Sequence, residues 1–165
     1  MLKWLWISAV VVILDQLSKW AAVAYLDERV PVAIMPHLNF TLAYNYGAAF
    51  SFLGDQGGWQ RWFFVALSFI VSGYMIYWLR KLDSRERGIA ISLALVLGGA
   101  FGNGIDRLIS GRVTDFIDTY VSYDLFFLTN GHFAIFNIAD IAITIGAMLL
   151  IVISLLYPSE SEDNN

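Results

Sequence analysis

The stretch FNIADIAITIGAMLLIVISLLY, residues 136–157, decides how this chain is read. A helix that crosses a bilayer needs roughly 20 mostly apolar residues, and from Ile141 to Tyr157 the stretch carries no charge. Near its start it holds an amide, Asn137, and a carboxylate, Asp140. An ionisable side chain at bilayer depth costs at least about 2–3 kcal/mol, so its presence in a span marks a candidate functional site. The question is what else in the chain could meet Asp140.

Working outward, segments 4–26, 61–79 and 88–109 also have the length and hydropathy of spans, and the last is taken as 133–157. Composition agrees. Hydrophobic residues make up 58% of the chain and charged residues 15%, against roughly 45–50% and about 25% in soluble domains. The expected fold class is therefore an all-α integral membrane protein of four transmembrane helices. The 165 residues allow one domain, 1–165. A net charge of −4 argues against a nucleic-acid partner. The absence of cysteine removes disulfides, thiolate metal sites and a Cys nucleophile. The N-terminal run is longer than the apolar core of a signal peptide and carries Asp15 and Lys19, so it reads as a retained first helix.

The linker RKLDSRERG holds Arg80, Lys81, Arg85 and Arg87, which makes it cytoplasmic by the positive-inside rule. Four spans then place both termini inside. The tail 158–165 is acidic and reads as disordered. Two segments face outward. Residues 26–60 contain LNFTLAY, which partly alternates, and turn glycines at 47, 54, 57 and 58, so a small extended or β platform on the outer face is expected. The other, from Ser110 to His132, is expected to be a loop. In the third span, Gly98 and Gly102 form a GxxxG pair, which suits either close helix packing or a place near substrate.

At 1.5 Å per residue, Asp106 lies about 27 Å along the third helix and Asp140 about 10 Å below the top of the fourth. Asp106, Asp115, Asp118, Asn103, Asn137 and Asp140 can then converge in the outer part of the bundle, with Arg107 and Arg112 as nearby cations. Two close carboxylates in a poorly solvated place share one proton near neutral pH. Such a pair can hydrolyse a peptide bond, one member taking a proton from water and the other polarising the carbonyl. Asp106–Arg107 is expected to be a structural pair, Asp118 a solvated or interfacial residue and Asp124 a loop charge. Asp15 and Lys19 have the spacing of an ion pair on one helix face. His37 and His132 are isolated in sequence, so no metal is expected. Ser72 and Ser92 lack a base.

Five blocks together carry a resemblance: DQLSK (15–19), NYGAAFS (45–51), GGAFGNGIDR (98–107), GRVTDFID (111–118) and FNIAD (136–140). In this order, on four spans, the chain strongly resembles the prolipoprotein signal peptidase family, signal peptidase II, over nearly its whole length. The resemblance implies an aspartic peptidase at the outer face of the bacterial inner membrane, needing no cofactor. Its substrate would be a diacylglyceryl-modified prolipoprotein, met within membrane lipid and cut just before the lipidated cysteine. Carried over by motif, the catalytic pair is Asp115 and Asp140. Asn103, Asp106, Arg107 and Asn137 match residues that line or brace the site, Asn45 and Gly47 match a substrate-contacting segment, and Asp15 and Lys19 match the first block. Ser18 stands where the family pattern has Thr, and the stretch between Asp115 and Asp140 is several residues longer than usual. One site on four helices could work as a monomer.

Two other readings compete. GNGID followed by Tyr123-Asp124 superficially resembles presenilin-like aspartyl peptidases, but the glycine spacing is off by one and the YD follows the glycine motif. A proton-conducting transporter would use the acids as relays, yet no paired broken-helix repeat is visible.

Overall fold

The computed structural model describes residues 1–47, 57–121 and 131–156. The expectations placed on Ala48–Ser51, Gly54, Tyr123, Asp124 and the tail lie outside them. Four helices long and apolar enough to cross a membrane are present: α1 (Leu5–Tyr25), α2 (Trp59–Lys81), α3 (Arg87–Ser110) and α4 (Ile138–Leu156). A three-stranded antiparallel sheet in the order β1-β2-β3 sits at one end of the bundle, with β1 at Val32–Met35, β2 at Leu38–Asn45 and β3 at Val113–Thr119.

Helix α3 is the hub, packing against each of the other three. Half of its spanning window is buried, against about a fifth in the others. Its glycines make this possible, and they divide by neighbour. A Cβ on Gly98 would meet Ser8 and Val11 of α1, one on Gly99 would strike the Ala139 carbonyl and Ile143 of α4, and one on Gly104 would press on Ser68 of α2. The GxxxG pattern is therefore helix packing, as small residues allow in lipid. Gly102 is the exception that also touches the site, since a Cβ there would come within 2.5 Å of Asp15 Oδ2. At the end of α3, Gly111 takes φ 76° and returns its N–H to Arg107 O, the left-handed stop that glycine permits.

Two apolar clusters bracket a polar layer. At the end away from the sheet, Leu79, Ala90, Leu93 and Leu97 are fully or almost fully buried and close the bundle. Beneath the sheet, Ala22, Leu42 and Phe116 form a second cluster.

Two expectations need correction. The platform draws a strand from outside residues 26–60: β3 comes from the segment read as a loop. Its residues VTDFIDT are β-branched or aromatic at Val113, Thr114, Phe116, Ile117 and Thr119, a β-favouring composition hidden by burial of both faces, which removes the alternation. The fourth helix starts at Ile138, not at 133. Residues 131–137 instead run extended along the open edge of β3, through bridges Tyr120↔His132 and Ile117↔Phe136 and hydrogen bonds such as Ile117 N to Phe136 O at 2.8 Å. This pairing satisfies the backbone groups on the second edge of β3, much of which is buried. Hydropathy alone does not separate such a buried extended run from the start of a helix.

A valine at Gly99 should therefore drive α4 off α3 and lower stability by about 1–3 kcal/mol or more. Gly73 on α2 has nothing within 4 Å of an added Cβ, so Gly73→Ala should leave stability unchanged or slightly raised. Thermal unfolding of the two variants in one detergent checks the contrast.

Candidate active site

The start of α4 organises the site. Asn137 precedes the first helical residue and its side-chain oxygen accepts the Asp140 N–H at 3.0 Å, while Asp140 Oδ2 accepts the Asn137 N–H at 3.2 Å. This is a reciprocal capping box with Asp in the place usually held by Glu or Gln. The next free amide, Ala139 N–H, is taken by Asp15 Oδ1 of α1 at 2.9 Å. The helix thus begins with the N–H groups of Asn137, Ala139 and Asp140 taken by side chains of the protein.

The amide of Asn137, fully buried, then reaches across to β3. Its Nδ2 donates to Asp115 Oδ1 at 2.6 Å, Asn103 Oδ1 at 3.1 Å and Thr114 O at 3.3 Å. Asn103 of α3 donates in turn to Asp140 Oδ1 at 2.8 Å. Asn137 therefore bonds to both Asp115 and Asp140, Asn103 bonds to Asp140 and Asn137, and both carboxylates line one cavity of about 780 Å³ together with Asn45, Asn103 and Arg107. Asn103 stands seven residues before the end of α3, which puts Asp140 about 10 Å inside that end. Asp140 reaches this level by way of an extended chain, in the first turn of α4. Apolar residues of α4, including Ile141 and Ile145, line the cavity's other wall.

Burial first, and repulsion from the charge of Asp140 second, push the Asp115 carboxyl up to about 7 from its ordinary 3.8, although hydrogen bonds from Asn137 and Asn45 oppose the shift. Asn45 Oδ1 accepts the Gly47 N–H at 2.9 Å. Arg107 holds the same turn, donating from Nη2 to Gly47 O at 2.7 Å while its guanidinium lies 5.0 Å from the Phe64 ring centroid.

Next to this pair lies a buried ionic layer. Lys19 Nζ donates to Asp15 at 2.8 Å, Asp106 at 3.1 Å and Asn103 Oδ1 at 2.9 Å, so its three protons are all used. Asp106 also accepts the Thr114 N–H at 3.0 Å, joining α3 to β3, and the Gln16 side chain at 2.9 Å. The expected Asp106–Arg107 pair is not formed: neighbouring residues on a helix point to different faces, and Lys19 is the partner of Asp106. Asp15 and Lys19 do pair as their spacing predicts.

Asp118 does not converge with the others and is not solvated. Three residues from Asp115 on a strand whose side chains alternate, it faces the opposite side. There it is 4% exposed and accepts from Thr41 Oγ1 at 2.9 Å, with His132 Nδ1 at 2.7 Å. His132 is thus partnered, not isolated, and His37 Nδ1 lies 3.1 Å from Tyr120 O. Gln16, Thr114 and Arg61 were missed. Gln16 stands inside DQLSK beside the charges that drew attention. Thr114 acts through its backbone, which leaves no side-chain signal. Arg61 Nε and Nη2 donate to Arg107 O and Leu108 O at 2.9 and 2.6 Å, capping α3 from a distance that sequence spacing does not reveal.

Two carboxylates on one cavity, among four helices long and apolar enough to cross a membrane, have the chemistry of a membrane enzyme of the aspartic type. Comparison with known proteins narrows the class. The family model described as Signal peptidase (SPase) II matches residues 7–156. The lipoprotein signal peptidase of Coxiella burnetii is 53% identical over 156 residues, 94% of this chain and 91% of its own. That of Hydrogenovibrio crunogenus is 50% identical over 147 residues, 89% and 81%. A solved bacterial membrane enzyme, obtained by the in meso method at 2.3 Å, superposes with a TM-score of 0.81 at 33% identity, covering 99% of this chain and 93% of that one. The chain belongs to the signal peptidase II family and is an aspartic peptidase.

Removing the Lys19 charge should be costly, because breaking a buried pair strands its partners at about 3–5 kcal/mol. Lys19→Met is expected to unfold at markedly lower temperature in detergent than the wild type, whereas Lys3→Met should not.

Proposed function

We propose that this peptidase cuts diacylglyceryl-modified prolipoproteins just before the lipidated cysteine, with Asp115 and Asp140 as the catalytic pair. The observation that carries the assignment is the placing of both carboxylates on one cavity, held by Asn137 and Asn103. Support for the substrate comes from relatives that are lipoprotein signal peptidases.

In this reading Asp115 carries the shared proton, since its affinity for one is raised. Asp140 removes a proton from the attacking water while the Asp115 hydroxyl hydrogen-bonds to the scissile carbonyl oxygen. Water adds to the carbonyl carbon, the tetrahedral intermediate collapses, the C–N bond breaks and the proton now on Asp140 passes to the leaving amine. The pair returns to one shared proton. Asn45, Gly47, Asn103, Asp106, Arg107, Asn137, Asp15 and Lys19 hold substrate or brace the pair, directly or through the ionic layer. The sheet end of the bundle is the outer face, both termini are cytoplasmic, and the enzyme acts as a single domain and a monomer. The apolar wall on α4 offers the substrate's membrane segment a surface beside the carboxylates.

Asp115→Asn and Asp140→Asn should each abolish cleavage of a diacylglyceryl-modified prolipoprotein while the protein stays folded in detergent. Full activity in either variant would exclude that residue from the pair. Asp118→Asn should keep substantial activity, its cost showing as a lower unfolding temperature. The activity of the wild type should also fall as pH rises through about 7, where the shared proton is lost. A profile flat from pH 6 to about 9 would contradict a one-proton pair.

A further inference from the structure

At the end of the bundle away from the sheet, a cleft of about 400 Å³ is lined by Lys3, Trp4, Trp6 and Arg87. No acidic side chain lines it. Among the described residues neither Lys3 nor Arg87 forms an ion pair. The Lys3 ammonium lies 5.9 Å from the Trp4 ring centroid. The Trp4 indole N–H is buried and has no acceptor among the described residues. The acids that precede Arg87 in sequence bond to backbone of their own turn: Glu86 Oε2 accepts the Asp83 N–H at 2.6 Å, and Asp83 Oδ1 accepts the Arg85 N–H at 3.1 Å.

The backbone adds to the same field. Helix α3 begins at Arg87, and α1 begins just after Trp4, each without a side-chain cap. The start of α3, which carries roughly half a positive charge, therefore lies beside two cations at the cleft, whereas α1 continues a 3-10 turn whose Trp4 and Leu5 N–H groups bond to Met1 O and Leu2 O. Such a place takes an anion. Its level fixes which kind, because it lies where two spans start, with indoles beside the cations as at a membrane–water interface.

We propose that this cleft binds the phosphodiester of an anionic phospholipid, held between Lys3 and Arg87, with Trp4 and Trp6 against the glycerol and upper acyl region. The bound lipid would join α1 to α3 at the end opposite the active site, beside the apolar cluster against which Trp4 packs.

The test uses the full chain in neutral detergent, titrated with phosphatidylglycerol, phosphatidylcholine or inorganic phosphate, with thermal unfolding as the readout. Phosphatidylglycerol should raise the unfolding temperature saturably, and phosphatidylcholine should not. Inorganic phosphate at millimolar levels should neither reproduce the rise nor compete with it. Each basic side chain near a membrane surface contributes about fivefold in affinity, so the Lys3→Ala/Arg87→Ala variant should bind about 30-fold more weakly. Arg80→Ala/Lys81→Ala should stay within about threefold if the cleft, and not diffuse basic charge, is responsible. Lys3→Arg/Arg87→Lys should retain binding, which keeps the test sound if the alanine variant folds poorly. Unchanged binding in the alanine variant, an equal loss in Arg80→Ala/Lys81→Ala, or equal stabilisation by phosphatidylcholine would overturn the proposal. Full competition by inorganic phosphate would also overturn it, leaving a site for a free anion.

Discussion

The ammonium of Lys19 and its three acceptors hold the working end of this protein together. The acceptors come from α1 and α3: Asp15 one turn earlier, and Asp106 and Asn103. Each acceptor then does a second job. Asp15 closes the start of α4, Asp106 fixes β3 through the Thr114 amide, and Asn103 orients Asp140. One cation thus sets the relative places of three helices and a strand. The arrangement answers a single constraint, that polar groups at bilayer depth find their partners within the protein.

The same constraint explains why the sheet is small yet has no bare edge along β3. Antiparallel pairing with β2 satisfies one side, and the descending residues 131–137 satisfy the other. An open edge there would leave several N–H and C=O groups facing lipid, each at a cost of a few kcal/mol. The extended descent also delivers Asn137 and Asp140 to the level of Asn103, which a helix starting at 133 would not place beside β3.

Much of this was legible in the sequence, and the failures have physical causes. The four spans were readable because hydropathy and length are properties of contiguous residues. The pair Asp15–Lys19 was readable because helical spacing fixes it. Strand β2 showed partial alternation, whereas β3 did not, being buried on both faces. The partner of Asp106 was misassigned to Arg107 because adjacency in sequence is not adjacency on a helix surface, and Lys19 lies 87 positions from Asp106. Asp118 was read as solvated or interfacial because its segment was read as a loop. Once the segment is a strand, alternation turns Asp115 and Asp118 to opposite faces, with Asn39 opposite Asp118 and Ala43 opposite Asp115.

The capping box at the start of α4 has a consequence for turnover. One oxygen of Asp140 secures the first turn of the helix, and in the proposed reaction the same carboxylate gains and loses a proton in every cycle. A protonated carboxyl is a poorer acceptor for a backbone N–H, so a proton on Asp140 weakens one of the two bonds of the capping box. The other, from the Asp140 N–H to Asn137 Oδ1, and the Ala139 amide pinned from α1 by Asp15, still hold the first turn while the carboxylate exchanges its proton.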